Sequence, residues 1–291
     1  MTRPLLAVIL AQAACETTML IAQISDFHLK AGGRVTYRVV DTAACLARAV
    51  AAVAALDPMP DIVVATGDLT DAGRPEEYAL LRELLAPLKQ PVYLIPGNHD
   101  EREAMRRAFA DAGYLPASGF LHYTVEDHPL RLVALDTLVP GEAGGRLCEQ
   151  RLRWLDDALA AAPERPTLII MHHPPFATGI AYMDRMGLSG VAEFAAVLSR
   201  HPQVERVLCG HLHRSIQARI GRHAIASTAP GTAHQMALDL RAAGPSRFMM
   251  EPPGYQLHLW RAGAGVVSHT GVIGNFAGPY PFRDDGPTHD G

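Results

Sequence analysis

Five short clusters of acid, amide and imidazole side chains could do chemistry in this chain. They are Asp26-Phe27-His28, Gly67-Asp68-Leu69-Thr70-Asp71, Gly97-Asn98-His99-Asp100, Met171-His172-His173-Pro174 and Gly210-His211-Leu212-His213. Asp, Asn and His are the ligand types that hold divalent ions such as Mn, Fe, Co or Zn. No cysteine belongs to the set, so a structural zinc site is not expected. Taken singly, an Asp-x-His pair is commonly a surface accident, Asn98 a turn residue, and His172 a hydrogen-bonded core or loop histidine. What sets the five apart is that each closes an apolar run of strand length. Positions i and i+2 of an extended chain face the same way. Asp26 and His28 are therefore expected to grip one ion, and His211 and His213 one ion or two neighbouring ones. Gly67, Gly97 and Gly210 each precede a candidate ligand, where glycine permits a tight turn and close backbone approach.

The elements that must position these clusters follow from the apolar periodicity. Residues 19–25, 61–66, 92–95, 131–135, 167–171 and 205–209 read as strands, and 223–228, 255–262 and 266–270 as later ones. Helical patterns cover 41–56, 76–88 (opened by Pro75), 101–112, 148–162 and 191–200. Alternating strands and helices predict an α/β fold, with the clusters at the carboxyl ends of strands, where such folds place their sites. The late run of strands predicts a second sheet, so two sheets sandwiched between helices is the expected architecture. Residues 174–190 and 229–254 read as irregular segments, and loops of that length are often functional. Tyr182, Met183, Asp184 and Met186 in the first are candidates for either substrate contact or loop packing. His234 and Gln235 in the second either line the cleft or form a structural turn.

Composition narrows the partners. The 291 residues carry a formal net charge of −4 and no block of Lys or Arg, so the footprint of a nucleic-acid binder is missing. A small anionic substrate remains possible if metal ions meet its charge. No later run approaches the length of a transmembrane helix, and no membrane partner is expected. Cys15, Cys45, Cys148 and Cys209 fit neither a zinc pattern nor a disulfide framework; reduced thiols point to the cytoplasm. Residues 1–18 imitate a weak signal peptide, but the short apolar run from Leu5 to Leu10 argues against export and leaves Met19 as an alternative start.

Together the five clusters resemble the signature of the calcineurin-like metallophosphoesterases over about residues 19–275, leaving 1–18 as an N-terminal extension and 276–291 as a tail. The likeness is nearer to the bacterial class III cyclic-nucleotide phosphodiesterases and glycerophosphodiesterases. It is carried by Gly73-Arg74-Pro75-Glu76-Glu77-Tyr78, Tyr93-Leu94-Ile95-Pro96-Gly97-Asn98-His99-Asp100, Met171-His172-His173-Pro174-Pro175 and Pro230-Gly231-Thr232-Ala233-His234-Gln235. The resemblance implies a four-layer α/β/β/α sandwich and two metal ions. Asp26, His28 and His213 would hold the first ion, Asn98, His172 and His211 the second, and Asp68 would bridge both together with a hydroxide. His99 would face the substrate and protonate its leaving group. Asp71 and Asp100 would orient ligands, and His173 would be structural. Asn98, His99 and Tyr182 are the expected substrate contacts.

The implied activity is hydrolysis of small phosphodiesters, either glycerophosphodiesters or 3′,5′-cyclic nucleotides, by attack of the metal-bridging hydroxide in line with the leaving alkoxide. Two divalent ions less two carboxylates and a hydroxide leave a single positive charge, suited to a phosphodiester. The sequence offers no obvious aromatic pair near the clusters as a platform for a purine, which favours broad specificity. The competing readings are a phosphomonoesterase, a nuclease (disfavoured by the charge) and a non-catalytic metal scaffold that binds a partner protein. A scaffold would be expected to lack a ligand or His99, and neither is missing. The fragment Ser246-Arg247-Phe248-Met249-Met250 is a candidate for capping the site or for an oligomer face, and the resemblance makes a homo-oligomer plausible.

Overall fold

The computed structural model describes residues 17–281. The leader-like run at the N-terminus, Cys15 and the end of the tail lie outside the described residues. In chain order the elements begin β1 (Thr18–Ile24), α1 (Thr42–Ala54), β2 (Ile62–Ala65), α2 (Pro75–Leu85), β3 (Val92–Leu94) and α3 (Arg102–Ala108). They continue β4 (Tyr123–Val125), β5 (Arg131–Leu135), β6 (Gly145–Arg146), α4 (Glu149–Ala160), β7 (Thr167–Met171), α5 (Ala181–Asp184), β8 (Leu188–Ser189), α6 (Val191–Leu198) and β9 (Val204–Cys209). The last are β10 (Ile216–Ile220), β11 (Ala224–Thr228), β12 (Gln235–Met236), β13 (Phe248–Met249), β14 (Gly254–Arg261) and β15 (Gly265–Val272).

The chain is mixed α/β, as its periodicity predicts. One sheet has the order β15-β14-β1-β2-β3 and the other β10-β11-β9-β7-β5-β4. In the first, β1, β2 and β3 are parallel out to one edge and β14 and β15 add antiparallel on the other side; the second has parallel pairs at its centre and an antiparallel strand at each edge. The central strands are buried along their whole length, as in β2, β5 and β7, which is why they read as unbroken apolar runs. Three apolar clusters join the layers. Leu46, Val50 and Val53 of α1 and Tyr78 and Leu81 of α2 pack on Ala22, Ile24, Val63 and Ala65. The other face of that sheet, through Met19, Ile21, Ile62 and Val64, meets Leu132, Ala134, Leu168 and Ile170. Beyond them Val133, Ile169 and Val207 pack against Leu155, Leu159, Phe194 and Val197 of α4 and α6.

The structure differs from the sequence expectation in a few elements. The helix expected over 101–112 stops at Ala108; a 3₁₀ turn, Ala110–Ala112, follows and ends at left-handed Gly113. β4 and β10 were not expected. Both are sheet edges, and β10 alternates exposure, so it lacks an apolar run. The two irregular segments contain α5, β8 and the β12–β13 pair. No described helix is long and apolar enough to cross a membrane.

One buried histidine makes the first sheet sensitive to pH. His258 on β14 is fully buried between Gln23 Oε1 (3.0 Å) and Ser268 Oγ (2.7 Å). Burial, then the positive charge of Arg206, pushes its pKa down to about 3. A group depressed in the folded state contributes stability that is present above its unfolded pKa and lost as pH falls toward the folded one. Stability is therefore expected to decline from about pH 6.5 downward, and His258→Gln should flatten part of that slope. Urea midpoints measured between pH 7 and pH 4 check this; parallel slopes for wild type and variant would refute it.

Candidate metal centre

All five clusters meet at one end of the two sheets. Asp26 and His28 follow β1, Asp68 follows β2, Asn98 and His99 follow β3, His172 follows β7, and His211 and His213 follow β9. The tips lock together through the backbone. Asp26 N–H donates to Gly67 O at 3.1 Å, His28 N–H to Asp68 O at 2.9 Å and Gly210 N–H to His172 O at 3.0 Å. The ligand atoms of Asp26, His28 and His213 lie within 4.8 Å of one another, as do those of Asp26, Asp68 and His172. Asn98 Oδ1 is 3.2 Å from His172 Nε2. Asp68 lies between the halves, with Oδ2 3.5 Å from His28 Nε2 and Oδ1 3.4 Å from His172 Nε2.

The local backbone is not the extended one expected from the i, i+2 spacing. Asp26, His28, Asp68, His211 and His213 all have left-handed φ values, from 46° to 71°. Non-glycine residues in that region cost about 1–3 kcal/mol each. Apart from these five, the only such residues described are Tyr37 and Arg38, and Tyr37 lines the same cleft. The turns bring Asp26 and His28 together by curling the chain at each strand end, and His211 and His213 fall into different groups. The glycines act by contact more than by turn. Only Gly67 of the three has positive φ (92°). A Cβ on Gly97 would collide with the Asp68 amide and carboxylate, and one on Gly210 with Ser25 Oγ and Thr66 O. Gly97→Ala is expected to displace Asp68, destabilise the fold by about 1–3 kcal/mol and weaken metal binding by about 10–100-fold. Thermal melting and Mn²⁺ titration calorimetry measure the two effects.

Hydrogen bonds set which imidazole nitrogen is free. His172 Nδ1–H donates to Thr66 O (2.7 Å) and His213 Nδ1–H to His234 O (3.0 Å), leaving each Nε2 with its lone pair. His211 is reversed: its Nε2–H donates to Met186 O (3.1 Å), leaving Nδ1. Fixing the tautomer through the other nitrogen is how metal-binding histidines are oriented. No Lys or Arg among the described residues pairs with the two acids: Asp26 and Asp68 form ion pairs with histidines alone. His28 Nε2 and His213 Nε2 face each other at 3.0 Å, while buried Asp26 Oδ2 and His28 Nδ1 have no partner. Burial raises the pKa of Asp26 and depresses that of His28 well below the usual range. In Asp68 burial is outweighed by His172, His99 and His28, so its carboxyl stays ionised. Facing imidazole nitrogens, an orphaned carboxylate oxygen and two buried acids are a donor set that divalent cations fit.

The remaining expected residues separate by their contacts. His99 N–H donates to Asp68 Oδ1 (2.9 Å), and its Nδ1–H donates to the Asp71 carbonyl (2.8 Å), so Nε2 is left without either partner. Asp71 thus acts on His99 through its backbone, while its carboxylate pairs with Lys30 at 3.1 Å. Asp100 accepts from Leu69 N–H, Thr70 N–H and Oγ1–H, Gly97 N–H and Tyr78 O–H at 2.9–3.1 Å, tying the loop of Asp68 to that of Asn98. His173 has both nitrogens engaged, with Thr137 Oγ1 (2.8 Å) and Ala143 O (3.1 Å). Gln235 closes a turn on Gly231.

A cleft of ≈250 Å³ opens over the centre, lined by His28, Asp68, Asn98, His99, Tyr182 and His234, among others. A larger groove, ≈680 Å³, lies between α4 and α6 and touches none of the five clusters. Ser246, in the fragment expected to cap the site or an oligomer face, lines the cleft, whereas sequence reasoning missed Tyr37 and Met236 in its wall; nothing in their local sequence marks them. It also missed an aromatic pair. Tyr37 and Phe248, over two hundred positions apart, have ring centroids 5.1 Å apart and an interplanar angle of 31°, and both pack on His234.

Comparison with known proteins agrees with this geometry. The family model described as calcineurin-like phosphoesterase matches residues 19–215. A probable glycerophosphodiester phosphodiesterase GpdQ of Arcobacter nitrofigilis is 40% identical over 268 residues, covering 92% of this chain and 98% of that protein. A 3′,5′-cyclic adenosine monophosphate phosphodiesterase CpdA of Pseudomonas aeruginosa is 34% identical, covering 84% of this chain and 86% of the relative. Among solved structures, a dimetal phosphatase from Danio rerio superposes with a TM-score of 0.59 at 16% identity, covering 88% of this chain and 99% of that one. That likeness is one of fold. The chain belongs to the calcineurin-like phosphoesterase family, in the subgroup that holds bacterial glycerophosphodiester and cyclic-nucleotide phosphodiesterases.

Proposed function

We propose that the protein is a dinuclear-metal hydrolase of small phosphodiesters. The observation that carries this reading is the set of facing donors at the strand tips, with Asp68 between the His28 and His172 halves. Asp26, His28 and His213 would hold one ion, Asn98, His172 and His211 the other, and Asp68 both. When bound, such a pair supplies Lewis-acid charge stabilisation and a nucleophile from water at neutral pH. The protein orients His172, His211 and His213 through backbone carbonyls, keeps Asp68 ionised and presents His99 to the leaving group. His99 suits that role: burial opposes its protonation, but Asp68 and the Asp71 carbonyl raise its pKa, so it can donate a proton from Nε2. Mn, Fe, Co and Zn all suit these donors.

Tyr182 on the cleft wall is the proposed substrate contact, beside Asn98 and His99. Glycerophosphodiesters are the leading substrates, as in the name of the Arcobacter relative. Tyr37 and Phe248 favour cyclic nucleotides as a second reading, because they offer the flat apolar surface on which a base could stack. We place the protein in the cytoplasm on its three described cysteines, all free thiols.

Hydrolysis of bis(p-nitrophenyl) phosphate against p-nitrophenyl phosphate, by metal-stripped protein with and without Mn²⁺, tests the proposal. Mn²⁺-dependent preference for the diester is expected. A preference for the monoester would reassign the protein as a phosphatase, and inactivity with every metal would leave a scaffold.

A further inference from the structure

The segment between β7 and α6 is more ordered than its composition suggests. Asp184 Oδ1 accepts from the Thr178 N–H (2.8 Å) and Oγ1–H (2.8 Å), and Oδ2 accepts from the Gly179 N–H (2.9 Å). Thr178 Oγ1 in turn accepts from Ile180 N–H (3.1 Å). One carboxylate therefore closes residues 178–184 into a turn, with Gly179 in the left-handed conformation at φ 83°. The far end is held separately, by Gly145 N–H on Gly187 O (3.1 Å) and Leu147 N–H on Ser189 O (2.9 Å).

That turn touches both halves of the proposed reaction. Tyr182, Met183 and Met186 line the cleft, and Arg185 lies 5.5 Å from the Tyr182 ring centroid. Ile180 and Met183 are buried against Leu212, the residue between His211 and His213. Two residues beyond Asp184, the Met186 carbonyl accepts from His211 Nε2–H (3.1 Å) and so directs Nδ1 to the metal side. The carboxylate of Asp184 itself is absent from the cleft lining; it reaches the chemistry only through the turn it closes.

We infer that Asp184 is a positioning residue that sets the substrate wall and the orientation of His211 together. The inference rests on the hydrolase reading for its substrate half and on the metal centre alone for the other half. Without the carboxylate, three donors lose their acceptor, and nothing but the short-range bonds Asp184 N–H to Ile180 O (3.0 Å), Ile180 N–H to Thr178 Oγ1 (3.1 Å) and Met186 N–H to Met183 O (2.9 Å) is left among the described polar contacts within residues 178–186. Tyr182, Met183 and the Met186 carbonyl are then free to shift, and with them the hydrogen bond that holds His211.

The test uses the full chain, stripped and reloaded with Mn²⁺. For wild type, Asp184→Ala, Asp184→Asn and Thr178→Val, Mn²⁺ affinity is measured by calorimetry, KM and kcat with bis(p-nitrophenyl) phosphate, and melting temperature by circular dichroism. In Asp184→Ala the weaker Mn²⁺ site is expected to lose about 10–100-fold in affinity, the range for removing a group that orients a ligand. KM should rise by more than kcat falls. Asp184→Asn keeps one oxygen for Thr178 and should recover much of the metal affinity, and Thr178→Val should show a smaller loss of the same kind. Should Asp184→Ala fail to fold, the order wild type, Asp184→Asn, Thr178→Val in Mn²⁺ affinity carries the test. Unchanged Mn²⁺ affinity in the folded variants, or a lowered melting temperature as the only effect, overturns the inference. If wild type lacks diesterase activity while the variants still lose Mn²⁺, the hydrolase reading falls and the positioning of His211 stands.

Discussion

Asp68→Ala is expected to lower kcat/KM by on the order of 10³-fold or more and to leave the protein unable to hold two Mn²⁺ ions. Asp68 lies between both halves of the centre, its carboxylate oxygens 3.5 Å from His28 Nε2 and 3.4 Å from His172 Nε2. It also accepts the His99 N–H at 2.9 Å, so its loss frees the backbone of the proposed general acid. Removing a single preorganised electrostatic group from an active site typically costs about 10²–10³ in kcat, and this substitution removes a bridging charge as well. The fold should survive, because the three apolar clusters that join the layers do not include the residue. Metal content after dialysis, with circular dichroism as control, measures the effect. Two tightly bound ions in the variant would show that Asp68 does not bridge.

His99→Ala separates binding from chemistry. The variant should keep both Mn²⁺ ions, since none of the proposed ligand sets includes His99. Turnover should fall by about 10²–10⁴, the usual worth of a positioned general acid. The size of the fall should depend on the leaving group. An alkoxide such as glycerol leaves with difficulty unless protonated, whereas p-nitrophenolate leaves as a stable anion. A glycerophosphodiester should therefore lose far more rate than bis(p-nitrophenyl) phosphate. Equal losses on the two substrates would argue for a role in holding the phosphoryl oxygens. Loss of metal would instead make His99 a ligand or a support for Asp68, to which its N–H is bonded.

Read together, the site and its frame show a division of labour. Buried strands bring the tips to one end, the glycines let them approach, and left-handed turns aim the side chains. The energy stored in those turns is supported by the layers beneath them. That explains why five strained non-glycine residues occur at the strand tips and none within the strands.

The sequence by itself determined the α/β class, nearly every central strand and the identity of the metal-binding candidates. Buried parallel strands need unbroken apolar runs, and such runs ending in Asp, Asn or His are visible without coordinates. β5 and β7 occupy 131–135 and 167–171 in both the reading and the structure. Only the tertiary structure decided how the ligands turn, because spacing does not distinguish an extended Asp-x-His from a left-handed one. Only it decided that Gly97 and Gly210 serve close contact with Asp68 and Ser25, atoms distant in the chain. The aromatic pair was likewise invisible, although Tyr182, Met183, Met186 and His234 of the cleft wall were candidates: Tyr37 and Phe248 become neighbours only when their segments fold over His234. Local periodicity records which residues are buried, whereas a specificity surface is made of side chains that meet across the fold and leave no period behind.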